Sequence, residues 1–254
     1  MSEAIKERDT DSAGTMTVAG HLAELRKRLF ISVGAMIALA VFAFAFIQKF
    51  VDLMLRLSEG FNFVYLTPSE LVMSYLKLSV VLGLVLASPI ILWQLWQFVA
   101  PGLEGNERRS ALTAVVAGFV FFLIGALFCY FVVLPMTLQF FYNFNGSKEI
   151  TASISFDSYM NFVLSMLLVF GVIFEMPVLC FLLSRLGFLK MEWLKAGRKF
   201  AVLIIFILAA IITPPDVVSQ VMTALPMIAL YELSIFVCGK AAKPESEKKD
   251  AQKE

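Results

Sequence analysis

A single histidine, His21, stands in 254 residues, so a metal centre built on histidine pairs is excluded. Cysteine is equally scarce. Cys129, Cys180 and Cys238 each fall inside an apolar block, with no CxxC pair and no Cys/His cluster, and they read as small core residues. Charge is thin as well: 16% of residues, against about 25% in a soluble domain. There is no phosphate loop, no GxSxG elbow and no HExxH, and the apolar blocks hold neither paired aspartates nor a serine with a histidine. Soluble-enzyme chemistry and intramembrane proteolysis therefore have no residues to run on. No internal repeat is present, which removes support for an inverted-repeat transporter. The first ~20 residues are polar, mixed in charge and without the continuous apolar stretch of a signal peptide. They read as a disordered arm over residues 1–20, and Lys240–Glu254 reads as a similar tail. With no organelle targeting segment, the expected location is a bacterial inner membrane.

What the sequence does have is apolar length. Hydrophobic residues make up 59% of the chain and the mean hydropathy is +0.83, gathered into six blocks. These run Leu29–Ile47, Leu71–Val99, Ala111–Phe141, Tyr159–Leu186, Phe200–Ile212 and Val217–Val237. The expectation is an all-α polytopic membrane protein with six transmembrane helices between residues 21 and 239. Thr67-Pro68-Ser69-Glu70 reads as a helix start, with Thr67 as N-cap, Pro68 in the first helical position and Glu70 closing a capping box. Pro89 is expected to kink the second helix. Trp93, Trp96 and Phe98 at its end suit a membrane–water interface.

Lysine and arginine give the orientation. Lys6, Arg8, Arg26, Lys27 and Arg28 precede the first block, and Arg108 and Arg109 follow the second. Arg185, Lys190, Lys195, Arg198 and Lys199 follow the fourth, and five more lysines occupy the tail. That places 17 basic residues on one side and four on the other, Lys49, Arg56, Lys77 and Lys148. Both termini are then expected in the cytoplasm. The fifth block is only 13 residues long, a reach of ~20 Å against a hydrocarbon core of ~30 Å. The fifth helix and the outer end of the sixth are expected to stop short of the far interface.

The candidate chemistry lies in carboxylates. Glu175 sits well inside the fourth block, where an ionisable group costs at least ~2–3 kcal/mol and is a functional candidate by default. The alternative is a protonated acid bonding a carbonyl freed by Pro177. Glu24 lies in a lead-in whose leucines 22, 25 and 29 have helical spacing, suggesting an amphipathic helix on the cytoplasmic face. Its structural alternative is an i,i+4 pair with Arg28. Glu107 either precedes a basic anchor as a solvated charge or, with Glu24, offers carboxylates to a cationic peptide, since guanidinium groups bind them in bidentate fashion. Asp216 opens the sixth helix as a dipole partner or an outer-side functional residue. Thr213 and Gln220 could give that hairpin a polar interior, and Glu232 reads as structural.

Five motifs in order carry a family resemblance: HLAELRKRL at 21–29, ASPIILWQLWQFVAPGL at 87–103, NERR at 106–109, FGVIFEMP at 170–177 and TPPDVVSQ at 213–220. From about His21 to Lys240 the chain closely resembles TatC, the signal-peptide receptor subunit of the twin-arginine protein translocase. The resemblance implies a concave, glove-like arrangement of six tilted helices with the last two short. It also implies partners: TatA and TatB, twin-arginine signal peptides of folded cargo, membrane lipids and further copies of the chain, with no nucleic acid and no cofactor. Export is then driven by the proton-motive force. Glu24 and Glu107 match the acidic residues implicated in recognising the arginine pair, and Arg26 and Phe98 match neighbours on that surface. Glu175 matches the intramembrane glutamate. Thr213 and Gln220 match positions where TatA or TatB helices dock, and Pro68 and Asp216 match outer-side positions tied to assembly or activity. The family's usual aromatic and basic residues are replaced here by Glu104-Gly105-Asn106, so Glu104 is a possible second carboxylate, and Met176 replaces the commoner valine. Without the resemblance, the residues leave open an ion-coupled solute transporter using Glu175, or a scaffold with no ligand.

Overall fold

Long apolar stretches with no polar interruption must satisfy their own backbone groups, and helices are how a single segment does so in lipid. The computed structural model describes residues 18–58, 61–99, 105–143, 153–185, 187–213 and 216–241, and among them the chain makes six long helical rods. The first is α1, Val18–Phe44. A nine-residue amphipathic helix α2, Ile47–Leu55, follows, burying Ile47, Val51 and Met54 along one face. A 3-10 turn, Arg56–Ser58, and a short strand β1, Asn62–Val64, lead into α3, Pro68–Val99. The third rod is α4, Gly105–Phe128, a π-helical turn Cys129–Val133 and α5, Leu134–Asn143. Strand β2, Ser153–Ser155, precedes the fourth rod, α6 over Phe156–Phe174 and α7 over Met176–Arg185. The last two are α8, Met191–Ile212, and α9, Val217–Ala241.

Five of the six rods are long and apolar enough to cross a membrane, and fewer than half of the residues in any of their apolar windows are buried within the protein. Phe30, Phe200, Ile211 and Val217 are each more than 70% exposed, as lipid-facing residues should be. The exception is α8. Its 22 residues span about 33 Å at 1.5 Å per residue, so the shortness lies in its apolar part. The first nine residues of the helix carry Glu192, Lys195, Arg198 and Lys199. Helix α1 also begins earlier than expected, since Val18–Gly20 are helical, and α9 continues to Ala241. The rest of the expected arm and tail, and Glu104, lie outside the described residues.

The rods pack as an open row. Helix α1 packs chiefly on α3, α3 on α4 and α6, the α4 and α6–α7 rods on each other, α9 on α7, and α8 chiefly on α9. Buried apolar residues from the middle of the row form its core, including Leu78, Leu134, Met160, Met166, Phe170 and Met227. Small residues set the closest approaches: a methyl group on Gly83 would lie 2.6 Å from the Ala40 Cβ, and one on Gly125 would lie 2.6 Å from the Phe170 carbonyl. Such positions let membrane helices meet backbone to backbone.

Prolines interrupt the rods in three different ways. Helix α3 runs through Pro89 without a break. The missing N–H leaves the Val85 carbonyl without its helical donor, and the Ser88 hydroxyl donates to it at 2.7 Å. Before Pro135 the helix loosens into the π turn, in which the Leu134 N–H reaches back five residues to Cys129. At Pro177 the rod breaks outright, with Glu175 in the turn between α6 and α7. Helix α7 then ends at Arg185, and Gly187 takes φ 78°, the left-handed value glycine adopts without a Cβ clash.

One end of the row is fastened by polar contacts. Strands β1 and β2 pair in parallel, Phe63 opposite Ile154. Tyr130 and Tyr159 donate to the Leu53 and Met54 carbonyls at 2.9 and 2.6 Å, tying down the end of α2. Glu70 extends the expected capping box. The Thr67 N–H and, at 2.8 Å to Oε2, the Leu66 N–H both favour its carboxylate, and its Oε1 accepts the Ser155 hydroxyl and the Asp157 N–H. The N-terminus of α6 lies beside it with open donors, so one glutamate serves two helix starts. Asp157 in turn accepts Ser74, Lys77 and Asn161, at 2.8, 2.8 and 2.7 Å.

Candidate functional site

At the opposite end, the lead-in leucines are exposed, Leu22 at 58% and Leu29 at 60%, so the face that packs is the polar one. The lead-in is the start of α1 itself, not a separate surface helix as expected. No breaker separates Arg28 from Leu29, and the polar face is held by the end of α3. Arg28 donates to Glu24 Oε1 at 3.0 Å, to Gln94 Oε1 at 3.0 Å and to Gln97 Oε1. Gln94 and Gln97 are three apart and share one helix face. His21 stacks on Phe98, with ring centroids 4.2 Å apart and planes 19° apart.

Glu24 retains 18% of its side-chain exposure, yet its Oε2 is buried with no hydrogen-bond partner. The Arg28 pair that sequence offered as the structural alternative is present, but it occupies one oxygen only. Leaving the other bare is expensive in a dry environment, and an incoming guanidinium would relieve it. Arg26 is exposed beside this surface. Glu107 lies in the first turn of α4, where the helix dipole favours an acid. The segment 100–104 linking α3 to α4 is five residues long, so Glu107 sits at the same end as Glu24; its side chain lies outside the described residues.

Glu175 stands apart from this cluster, in the break between α6 and α7. Its N–H donates to the Val172 carbonyl at 3.1 Å and its own carbonyl accepts Leu179 at 2.9 Å, so the helix resumes past the turn. The carboxyl Oε1 is buried without a partner, so a bond from this oxygen to a carbonyl freed by Pro177 is not seen. Thr213, Asp216 and Gln220 are satisfied inside the last hairpin. The buried Thr213 hydroxyl donates to Ala209 at 2.8 Å. Asp216 caps α9, accepting the Ser219 N–H at 2.7 Å and the Ser219 hydroxyl. Gln220 Nε2 donates to the Phe206 carbonyl at 3.0 Å, bridging α9 to α8. Arg198 and Glu232 pair at 2.7 Å across the same two helices. Pro68 is exposed in the first position of α3. Pro214 and Pro215 lie outside the described residues.

Residues 20–226 match the family described as Sec-independent protein translocase protein (TatC). A TatC protein of Helicobacter pylori is 45% identical over 217 residues, covering 85% of each chain. One from Carboxydothermus hydrogenoformans is 39% identical over 233 residues, covering 91% of this chain and 95% of its own. The chain belongs to the TatC family. A crystal structure of a twin-arginine translocase receptor, TatC, superposes with a TM-score of 0.79 at 36% identity, covering 87% of this chain and 99% of that one. A second, determined in DDM, gives 0.80 at 36% identity. The TatC chain described here is thus a multi-pass membrane subunit of the Sec-independent, twin-arginine protein translocase, and its family is a transport component, not an enzyme.

Sequence reasoning singled out Glu24, its Arg28 pair and Phe98, but not the glutamines that share Arg28 or the ring that meets Phe98. Gln94 and Gln97 interrupt an otherwise apolar helix end, and two amides at i,i+3 spacing near a basic lead-in were the available signal. Nothing local marked His21 as the ring on which Phe98 rests.

Proposed function

We propose that this TatC chain is the receptor subunit that captures signal peptides carrying paired arginines. With TatA and TatB it passes folded cargo across a bacterial inner membrane, driven by the proton-motive force. Both termini lie in the cytoplasm, in keeping with the 17-to-four division of basic residues. The observation that carries the reading is the half-satisfied Glu24. It is fixed by Arg28 through Oε1 and leaves Oε2 bare and buried, at the end of the molecule where α4 brings Glu107. A peptide guanidinium supplies the missing donors there, and the planar fork of arginine fits where a lysine ammonium does not. The apolar part of the peptide then runs along the open row towards Glu175, where a polar group of a TatA or TatB helix pairs with the bare oxygen. Receptor complexes hold more than one copy of the chain.

The test is binding of the detergent-purified protein to an Arg-Arg signal peptide beside its Lys-Lys counterpart. The expected result is a clear preference for arginine. Glu24→Gln and Glu107→Gln should each weaken it about tenfold or more, since a hydrogen bond to a charged group contributes ~1.5–3 kcal/mol. Equal binding of both peptides by the parent, unchanged in the variants, would refute the reading.

A further inference from the structure

The α4 and α6–α7 rods run antiparallel, and three glycines mark where they touch. Gly171 meets Phe122, Gly125 meets Phe170 and Phe174, and Gly118 meets Glu175. The first two are ordinary close packing. A methyl group on Gly125 would strike the Phe170 backbone carbonyl at 2.6 Å, and one on Gly171 would strike the Phe122 ring at 2.7 Å. Gly118 is different. A Cβ there would lie 2.8 Å from Glu175 Oε2, 3.4 Å from Oε1 and 3.5 Å from Cδ. The carboxyl group therefore occupies the space where a side chain on this one residue would begin, Oε2 nearest, with Oε1 buried and bare.

We infer that Gly118 is a positioning residue for Glu175: its missing side chain is the seat that holds the intramembrane carboxyl against α4. The obstacle that a methyl group would meet is the far end of a flexible side chain, not a backbone. The helices can therefore keep their spacing while the carboxyl must leave its seat. A residue that served packing alone would behave oppositely, disturbing the fold first. The inference rests on the reading that Glu175 pairs with a polar group of a partner helix only for its functional consequence; the placement itself is independent of any partner.

The experiment separates the two. The full-length protein, in membranes with and without TatA and TatB, is treated with a hydrophobic carbodiimide, which reacts with carboxylic acids inside the bilayer, with Glu175→Gln as the blank. In Gly118→Ala the displaced carboxyl should label severalfold faster than in the parent, while the melting temperature in detergent barely moves. Shortening the acid makes room for the new methyl group, so Gly118→Ala/Glu175→Asp should return labelling towards the parent rate. Crosslinking of the partner helix beside α6 should fall about tenfold in Gly118→Ala, the effect of one misplaced hydrogen bond, and recover in part in the double variant. Parent-like labelling of Gly118→Ala overturns the inference, and so does a double variant that labels as fast as Gly118→Ala. Faster labelling with unchanged crosslinking leaves the seat in place and refutes instead the role of Glu175 in partner docking.

Discussion

Two ends of the molecule treat their carboxylates differently. Where α3 meets α6, Glu70 and Asp157 have every oxygen bonded: Leu66, Ser155 and the Asp157 N–H to the first, Ser74, Lys77 and Asn161 to the second. Where α1 meets α3, and again at the α6–α7 break, Glu24 and Glu175 each keep one oxygen buried and bare. All four acids sit at or within apolar helices, where an unsatisfied polar atom is costly. An acid whose bonds all close inside the chain is accounted for by folding. Glu24 closes one oxygen only, and the Glu175 carboxyl has no bond inside the described residues; on the proposed reading, something outside the chain completes them.

The sharpest way to break that division is at Asp157. Its loss strands Lys77 against α6 without its carboxylate, and removing one member of a buried pair costs ~3–5 kcal/mol. Lys77 keeps 39% of its side-chain exposure and a bond to Asn161 at 3.0 Å, so Asp157→Leu should cost about 1–2 kcal/mol, between an exposed and a buried pair, read from denaturation of the purified protein. Lys77→Leu/Asp157→Leu should recover much of that loss, since no stranded charge remains. If Asp157→Leu melts with the parent but binds signal peptide poorly, the α3–α6 acids belong with Glu24 and Glu175 and the division fails. Glu24→Gln should show the reverse pattern, because Gln94 and Gln97 still hold Arg28: weak peptide binding with stability nearly intact.

Much of the fold was legible because lipid imposes it one segment at a time. An apolar run of sufficient length is a helix whatever its neighbours do, so the six rods could be read from block lengths, and their order from the motifs. Capping is similarly local: Asp216 precedes Ser219 by three residues, and the spacing alone allows the cap it makes. What could not be read is which helix faces which. Lys77 and Asp157 are 80 residues apart, and Glu70 and Ser155 are 85 apart. Nothing in either segment names the other until the helices are packed. Gly118 is the plainest case, since a glycine in an apolar helix has many reasons to be there and only the position of Glu175 selects one. The start of α8 was misjudged for a related reason: hydropathy measures where lipid begins, whereas the helix continues through Lys195, Arg198 and Lys199 into the polar region.

A smaller effect sharpens the description of the end where α1 meets α3. Gln94 and Gln97 share Arg28 with Glu24, so replacing both with leucine leaves Arg28 leaning on Glu24 alone. The internal pair tightens and the carboxylate becomes less available. Gln94→Leu/Gln97→Leu should weaken Arg-Arg peptide binding by about 1 kcal/mol, roughly fivefold, the net worth of ordinary hydrogen bonds redistributed. Unchanged affinity would mean that the glutamines only pack.

The smallest expected effect tests whether bare polar atoms matter at all in this protein's lipid-facing helices. Ser88 fills the carbonyl that Pro89 leaves open at Val85, and both lie in the middle part of α3, far from either acid cluster. Ser88→Ala removes the hydroxyl and little else, leaving one carbonyl with no donor. In water such a loss would be repaired by solvent. In a helix surrounded by lipid and apolar side chains it is not, and a cost of about 1 kcal/mol follows, near the lower bound for an unsatisfied buried group. Peptide binding should not change. A stability loss well below that figure would mean that the site tolerates an open carbonyl, and the bare oxygens of Glu24 and Glu175 would then carry less weight as signs of a missing ligand. A loss of the expected size shows that an open polar atom is costly in this setting, and the bare oxygens of Glu24 and Glu175, the two carboxylate atoms among the buried side-chain atoms left without a partner, acquire their weight from that.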